Sequence, residues 1–141
     1  MKYLRTPPDI WSNLSAEFNF TLDACASHEN HLVDKYYTIE DNALTKDWNG
    51  EVAYVHPLFD GKIGKFVEKA YNSKGTFVFL LPASTHTKYF HDCFYKNPKC
   101  EIRFLKKPAK GFRFGHDDGT EDDEDKIGYI KPLMICILRN V

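Results

Sequence analysis

No run of apolar residues here approaches the roughly twenty needed to cross a bilayer, so the sequence offers no membrane-spanning segment. The N-terminal MKYLRTPPDIW has basic residues but neither an apolar h-region nor a small-residue cleavage site, and the chain is read as cytoplasmic. Cysteine is sparse. Cys25, Cys93, Cys100 and Cys136 form no C-x-x-C pair, which removes both a zinc knuckle and a disulfide framework. His86 and His91 (i, i+5) and His28 and His31 (i, i+3) lack a carboxylate-supported ligand spacing, so no metal is expected. Also missing are a P-loop, a G-x-G-x-x-G and a nucleophile-elbow serine, which leaves hydrolase and NTPase chemistry without a carrier.

What remains is an ordinary globular composition, 43% hydrophobic and 28% charged over 141 residues, read as one domain spanning residues 1–141. Eleven Phe and eight Tyr exceed what a small core needs and leave rings free to stack on bases or a cofactor. The net charge of −1 conceals an asymmetry. Seven of the twenty acidic residues fall in HDDGTEDDED, residues 116–125, which reads as an acidic loop; with those set aside the remainder carries +6. A mildly basic body of this kind is compatible with a polyanionic partner.

The periodicities predict an α/β open sheet. Ile10, Leu14 and Phe18 recur at helical spacing, predicting a helix over about 8–16, while Phe18, Phe20 and Leu22 alternate toward a strand ending on Asp23. Residues 28–50 read as irregular. A strand over 52–55 is followed by a helix presenting Ile63, Phe66, Val67 and Ala70 on one face. TFVFLLPAS (76–84) is the continuous apolar run of a buried central strand, so the sheet should be mostly parallel and covered on both faces. STHTKYFHDCFYKN reads as a helix with a Ser or Thr N-cap, and CEIRFL and PLMICILRNV as further strands.

In such sheets ligands bind at the carboxyl ends of the strands. Three expected strands end on chemically loaded residues: Asp23, His56-Pro57 and Pro82-Ala83-Ser84. Asp23, followed by the small Ala24, Cys25 and Ala26, reads either as a cofactor-binding carboxylate or as a turn cap. Asp41 and Asp47-Trp48 read either as ribose or ammonium contacts or as turn residues. His56-Pro57-Leu58-Phe59 reads either as a base-stacking site or as a strand stopped by proline. In RFLKKPAKGFRF, the basic Arg103, Lys106, Lys107, Lys110 and Arg113 interleave with phenylalanines, which suits phosphate contact and base stacking; an edge strand with a solvated loop is the plainer alternative.

Taken in order, TPPDIWSNLSAEFNFTLDACAS, KYYTIEDNALTKDWNG, HPLF, IGKFVEKA, LLPASTHTKYFHD, EIRFLKKPAKGFRF and KPLMICIL resemble the phage DNA N-6-adenine-methyltransferase family over nearly the whole chain. The resemblance implies a compact Rossmann-like class I methyltransferase fold. It also implies S-adenosyl-L-methionine as cofactor, held near Thr6, Pro7, Asp23, Ala24, Cys25, Ala26, Asp41, Asn42 and Leu44. His56, Pro57 and Phe59 would face a flipped adenine, and the five basic residues would meet DNA. The expected activity is methylation of adenine N6 in DNA, protecting phage DNA from restriction in the bacterial cytoplasm. The chain departs from the family pattern at its catalytic tetrapeptide, with HPLF in place of NPPY or NPPF. That departure supports an alternative, a catalytically impaired cofactor- or DNA-binding protein directed at a host restriction or defence protein.

Overall fold

The computed structural model describes residues 4–116 and 127–141, so all of the acidic segment except His116 lies outside the described residues. The chain opens with β1 (Leu4–Arg5) and α1 (Pro8–Phe18), then β2 (Leu22–Asp23), β3 (Glu51–Val55), α2 (Ile63–Tyr71) and β4 (Gly75–Pro82). It closes with β5 (Cys100–Phe104), β6 (Gly115–His116) and β7 (Leu133–Asn140). Five strands form one sheet in the order β2-β3-β4-β7-β5. β2, β3 and β4 pair in parallel, whereas β7 is antiparallel to both β4 and β5. Four strands therefore point one way and only β7 runs back, in keeping with the mostly parallel α/β class expected. β1 and β6 make a separate antiparallel pair.

β4 is the spine. Its residues Phe77 to Leu81 are fully buried because it has neighbours on both edges and layers on both faces. Odd-numbered Phe77, Phe79 and Leu81 pack beneath α2 with Trp48, Ile63, Val67 and Phe94. Even-numbered Val78 and Leu80 face Leu14 of α1 together with Tyr54, Phe112 and Phe114. Burying a side chain such as Leu14 contributes about 1.5–3 kcal/mol. At the start of β4, Gly75 has φ +150, and a Cβ there would lie 2.5 Å from the Glu51 carbonyl oxygen, so this close strand approach requires glycine.

Two expectations fail locally. The alternation Phe18, Phe20, Leu22 yields strand only at Leu22–Asp23, because α1 continues through Phe18 and ends on Asn19, whose left-handed backbone (φ 48) donates its N–H to the Ser15 carbonyl. Phe20 instead stacks on Trp11 and lies tilted against Tyr54 and Phe18, forming a ring cluster under α1. The second failure concerns the segment after β4, which forms only a short π turn over Phe90–Phe94 with no side-chain N-cap. Thr87 turns its hydroxyl back to the Ser84 carbonyl, and the Tyr95 N–H reaches five residues back to Phe90, which brings Phe90 and Phe94 together into the core. No helix among the described residues is long and apolar enough to span a membrane.

Candidate active site

Because β2, β3 and β4 are parallel, their carboxyl ends bring Asp23, His56 and Pro82 to one edge of the sheet. His56 follows β3 directly and lies on the Tyr54 side, buried at 6% exposure. Its ring is held in an aromatic box. Phe114 stacks on it (centroids 5.7 Å, planes 15° apart), and Phe59 meets it edge-on (5.5 Å, 76°). Tyr129 packs against both Phe59 and Phe114. Nδ1 of His56 lies 3.3 Å from the Leu80 carbonyl oxygen. Burial pushes the imidazole down to about 4, only partly opposed by that carbonyl, so the ring is neutral at pH 7. Pro57 is buried beside it, and no described group donates a hydrogen bond to the Pro57 carbonyl.

On the α2 side of the tetrapeptide a cavity of about 460 Å³ opens between Ala24, the turn Thr38–Leu44 and Leu58. Ala24 sits there because its N–H bonds the Tyr54 carbonyl, which extends the β2–β3 pairing by one residue past Asp23. Asn42 turns the chain in the left-handed region (φ 53) and delivers Ala43 and Leu44, while the fully buried Trp48 donates its indole N–H to the Ala43 carbonyl and fixes that turn under α2. The walls combine apolar Leu44, Leu58 and Phe66 with the charged Glu40, Asp60 and Lys62. Its volume and mixed apolar and charged walls suit a ligand of nucleoside size.

The family model for DNA N-6-adenine-methyltransferase (Dam) matches residues 2–140. The chain belongs to this family. It is 31% identical over 138 residues to the DNA N-6-adenine-methyltransferase of Haemophilus phage HP1 (strain HP1c1), an alignment covering 94% of this chain and 75% of the phage protein. A shorter stretch of 50 residues is 40% identical to YfdM of Escherichia coli (strain K12), provisionally named a methyltransferase, covering 35% of this chain and 55% of that protein. The protein is accordingly a DNA adenine N6-methyltransferase, and membership in this family implies S-adenosylmethionine as methyl donor.

Within this methyltransferase the expected cofactor residues divide. Ala24, Asn42 and Leu44 line the cavity. Asp23 is 3% exposed and spends its two oxygens on backbone N–H groups, Oδ2 on Leu32 (3.0 Å) and Oδ1 on Cys25 (3.4 Å), so it ties down the loop behind the cavity wall. Burial raises its carboxyl to about 6, against the lowering effect of those two N–H groups and of the nearby His31. Cys25 and Ala26 are buried in that same loop. The Cys25 thiol is pushed well up by burial first and by Asp23 second, and Ala26 donates its N–H to Tyr37. Asp41 accepts from both the N–H and the hydroxyl of Thr38, closing the turn beside the cavity. Asp47 likewise caps Asn49. Thr6 and Pro7 are placed on the α1 side instead: the Thr6 hydroxyl is 2.6 Å from the Tyr54 hydroxyl, and Pro7 borders a groove of about 500 Å³.

That groove gathers Lys106, Lys110 and Arg113 against the start of α1. Arg103 and Lys107 do not join it. Arg103 forms a two-pronged pair with Glu17 (2.7 and 2.8 Å) and a third bond to Glu101, while Lys107 is exposed and reaches the Pro108 carbonyl. Sequence reasoning missed Thr38, Leu58 and Phe66 of the cavity wall, and Phe114 and Leu80 around His56. The helical stripe of α2 pointed to Phe66 only as a core residue, and no local pattern marks a backbone carbonyl.

Proposed function

We propose that this methyltransferase binds S-adenosylmethionine in the cavity between Ala24, Asn42, Leu44 and Leu58, and presents a flipped DNA adenine to it at His56, Pro57 and Phe59. The observation that carries the reading is the placement of HPLF, which follows β3 directly with His56 packed on the Tyr54 side and Leu58 in the cavity wall. When bound, the cofactor supplies a sulfonium-activated methyl group, released with the bonding electron pair staying on sulfur. The protein has little bond chemistry left to perform. Its residues orient the adenine amino group, exclude water and receive the proton that N6 sheds. Phe59 offers a ring face to the extruded base, and the neutral His56 and the open Pro57 carbonyl offer acceptors to the amino hydrogens. Lys106, Lys110 and Arg113 hold the DNA backbone in register at the far side of the site.

The biological role we infer is modification of phage DNA in the bacterial cytoplasm, so that adenine-sensitive restriction enzymes no longer cut it. The test uses the purified chain, labelled S-adenosylmethionine and unmethylated DNA, read by mass analysis of the nucleosides. N6-methyladenine should form, and plasmid from expressing cells should resist at least one adenine-sensitive restriction enzyme. Absence of transfer to phage or host DNA would sink the reading.

A further inference from the structure

A neutral imidazole can accept a hydrogen bond at only one of its two nitrogens, because the other carries the proton. His56 stands where the family pattern has asparagine, so what it can accept there turns on which nitrogen is bare. Nδ1 of His56 lies 3.3 Å from the Leu80 carbonyl oxygen, and a carbonyl oxygen only accepts. The proton of the neutral ring therefore resides on Nδ1. Nε2 is the bare nitrogen, and no described residue donates to it.

The lock is built from rigid parts. Leu80 is fully buried in the central strand, pinned by its pairing with Ile135 of β7. Parallel stacking by Phe114 and edge contact from Phe59 fix the ring plane, and a half-turn of the ring would cost the Leu80 bond. We propose that the Leu80 carbonyl holds His56 as the Nδ1–H tautomer, so that Nε2 accepts a hydrogen bond from the N6 amino group of the target adenine. This inference rests on the adenine-methylation reading above. Burial of the ring favours the uncharged form that the lock requires. Phe114 is thereby a positioning residue, acting through His56.

The test is nitrogen NMR on the full chain labelled with ¹⁵N-histidine, with the His56 signals assigned by their loss in His56→Asn. From about pH 6 to 8, Nδ1 should show the shift of a protonated nitrogen and Nε2 that of a bare one, neither moving. The reverse pattern, or a titration centred inside that range, overturns the proposal. Turnover gives the second readout. His56→Phe keeps an aromatic ring in the box but removes the acceptor; its turnover should fall about 10- to 100-fold, the effect of one buried hydrogen bond, with cofactor affinity within twofold. His56→Asn should recover at least part of that loss. A His56→Phe variant as fast as the parent refutes the acceptor role. A lock seen by NMR in a protein that methylates no DNA would overturn the methylation reading and leave the lock standing.

Discussion

Asp23→Asn is the substitution whose consequence follows most directly from the geometry. The carboxyl is 3% exposed, and burial raises it from 3.8 to about 6 even though two backbone N–H groups point at it. Because the folded value lies above the unfolded one, the native protein binds more protons than the unfolded chain between about pH 4 and 6. Stability contributed by Asp23 is thus present in full below about pH 4, is lost as pH rises through 6, and stays lost above it. The displacement corresponds to roughly 3 kcal/mol. An asparagine cannot titrate, so the difference in unfolding free energy between parent and variant isolates the effect from other carboxyls. Urea unfolding of both proteins at half-unit steps from pH 4 to 7.5 should show the parent losing about 3 kcal/mol relative to the variant across that span. A flat difference would refute the account. A difference of opposite sign would mean that the Leu32 and Cys25 N–H groups outweigh burial, making Asp23 an ordinary stabilised carboxylate.

Phe59→Ala should lower methyl transfer by about 10- to 100-fold through the loss of one base-stacking surface, with fluorescence of a 2-aminopurine target showing less extruded base. Lys106→Glu combined with Lys110→Glu should weaken binding to all duplex sequences alike and flatten the salt dependence of log K by about one per lost phosphate contact, measured by anisotropy at several salt concentrations. Arg103→Ala, by contrast, should leave that salt slope within error while lowering stability by up to about 1 kcal/mol, the scale for half-exposed ion pairs, since its guanidinium already joins α1 to β5 through Glu17 and Glu101; chemical unfolding of Arg103→Ala and Glu17→Ala measures it.

The strands were legible where one periodicity acted alone. TFVFLLP reads as a doubly covered strand because every residue from Phe77 to Leu81 has a core to enter, and Ile63, Val67 and Ala70 read as a helix stripe for the same reason. Phe18 and Phe20 misled because burial against Trp11 and Tyr54 can be met from a helix end as well as from a strand. Between Ser84 and Tyr95, hydroxyl groups that could cap a helix bond local carbonyls instead, and the large rings favour a π turn over regular helix. Of the cavity lining, Ala24, Asn42 and Leu44 had been named through the family resemblance. Phe114 was not, since it lies 58 residues further along the chain and only the fold brings its ring onto His56. The basic run was half legible: spacing shows five cations, but only the fold sets Arg103 between Glu17 and Glu101 and lines up Lys106, Lys110 and Arg113 along the groove.

The position of β7 has a consequence for biosynthesis. This strand follows all the others in the chain yet sits between β4 and β5, with eight residues in register along β4. While the ribosome still holds it, β4 has an open edge of apolar residues and β5 has no partner at all. Parallel pairing of β2, β3 and β4 can begin on the nascent chain, but Leu80 reaches its final position only when Ile135 arrives beside it. Since the carbonyl that meets His56 belongs to Leu80, the surroundings of that imidazole depend on a strand pairing made on the opposite edge of β4.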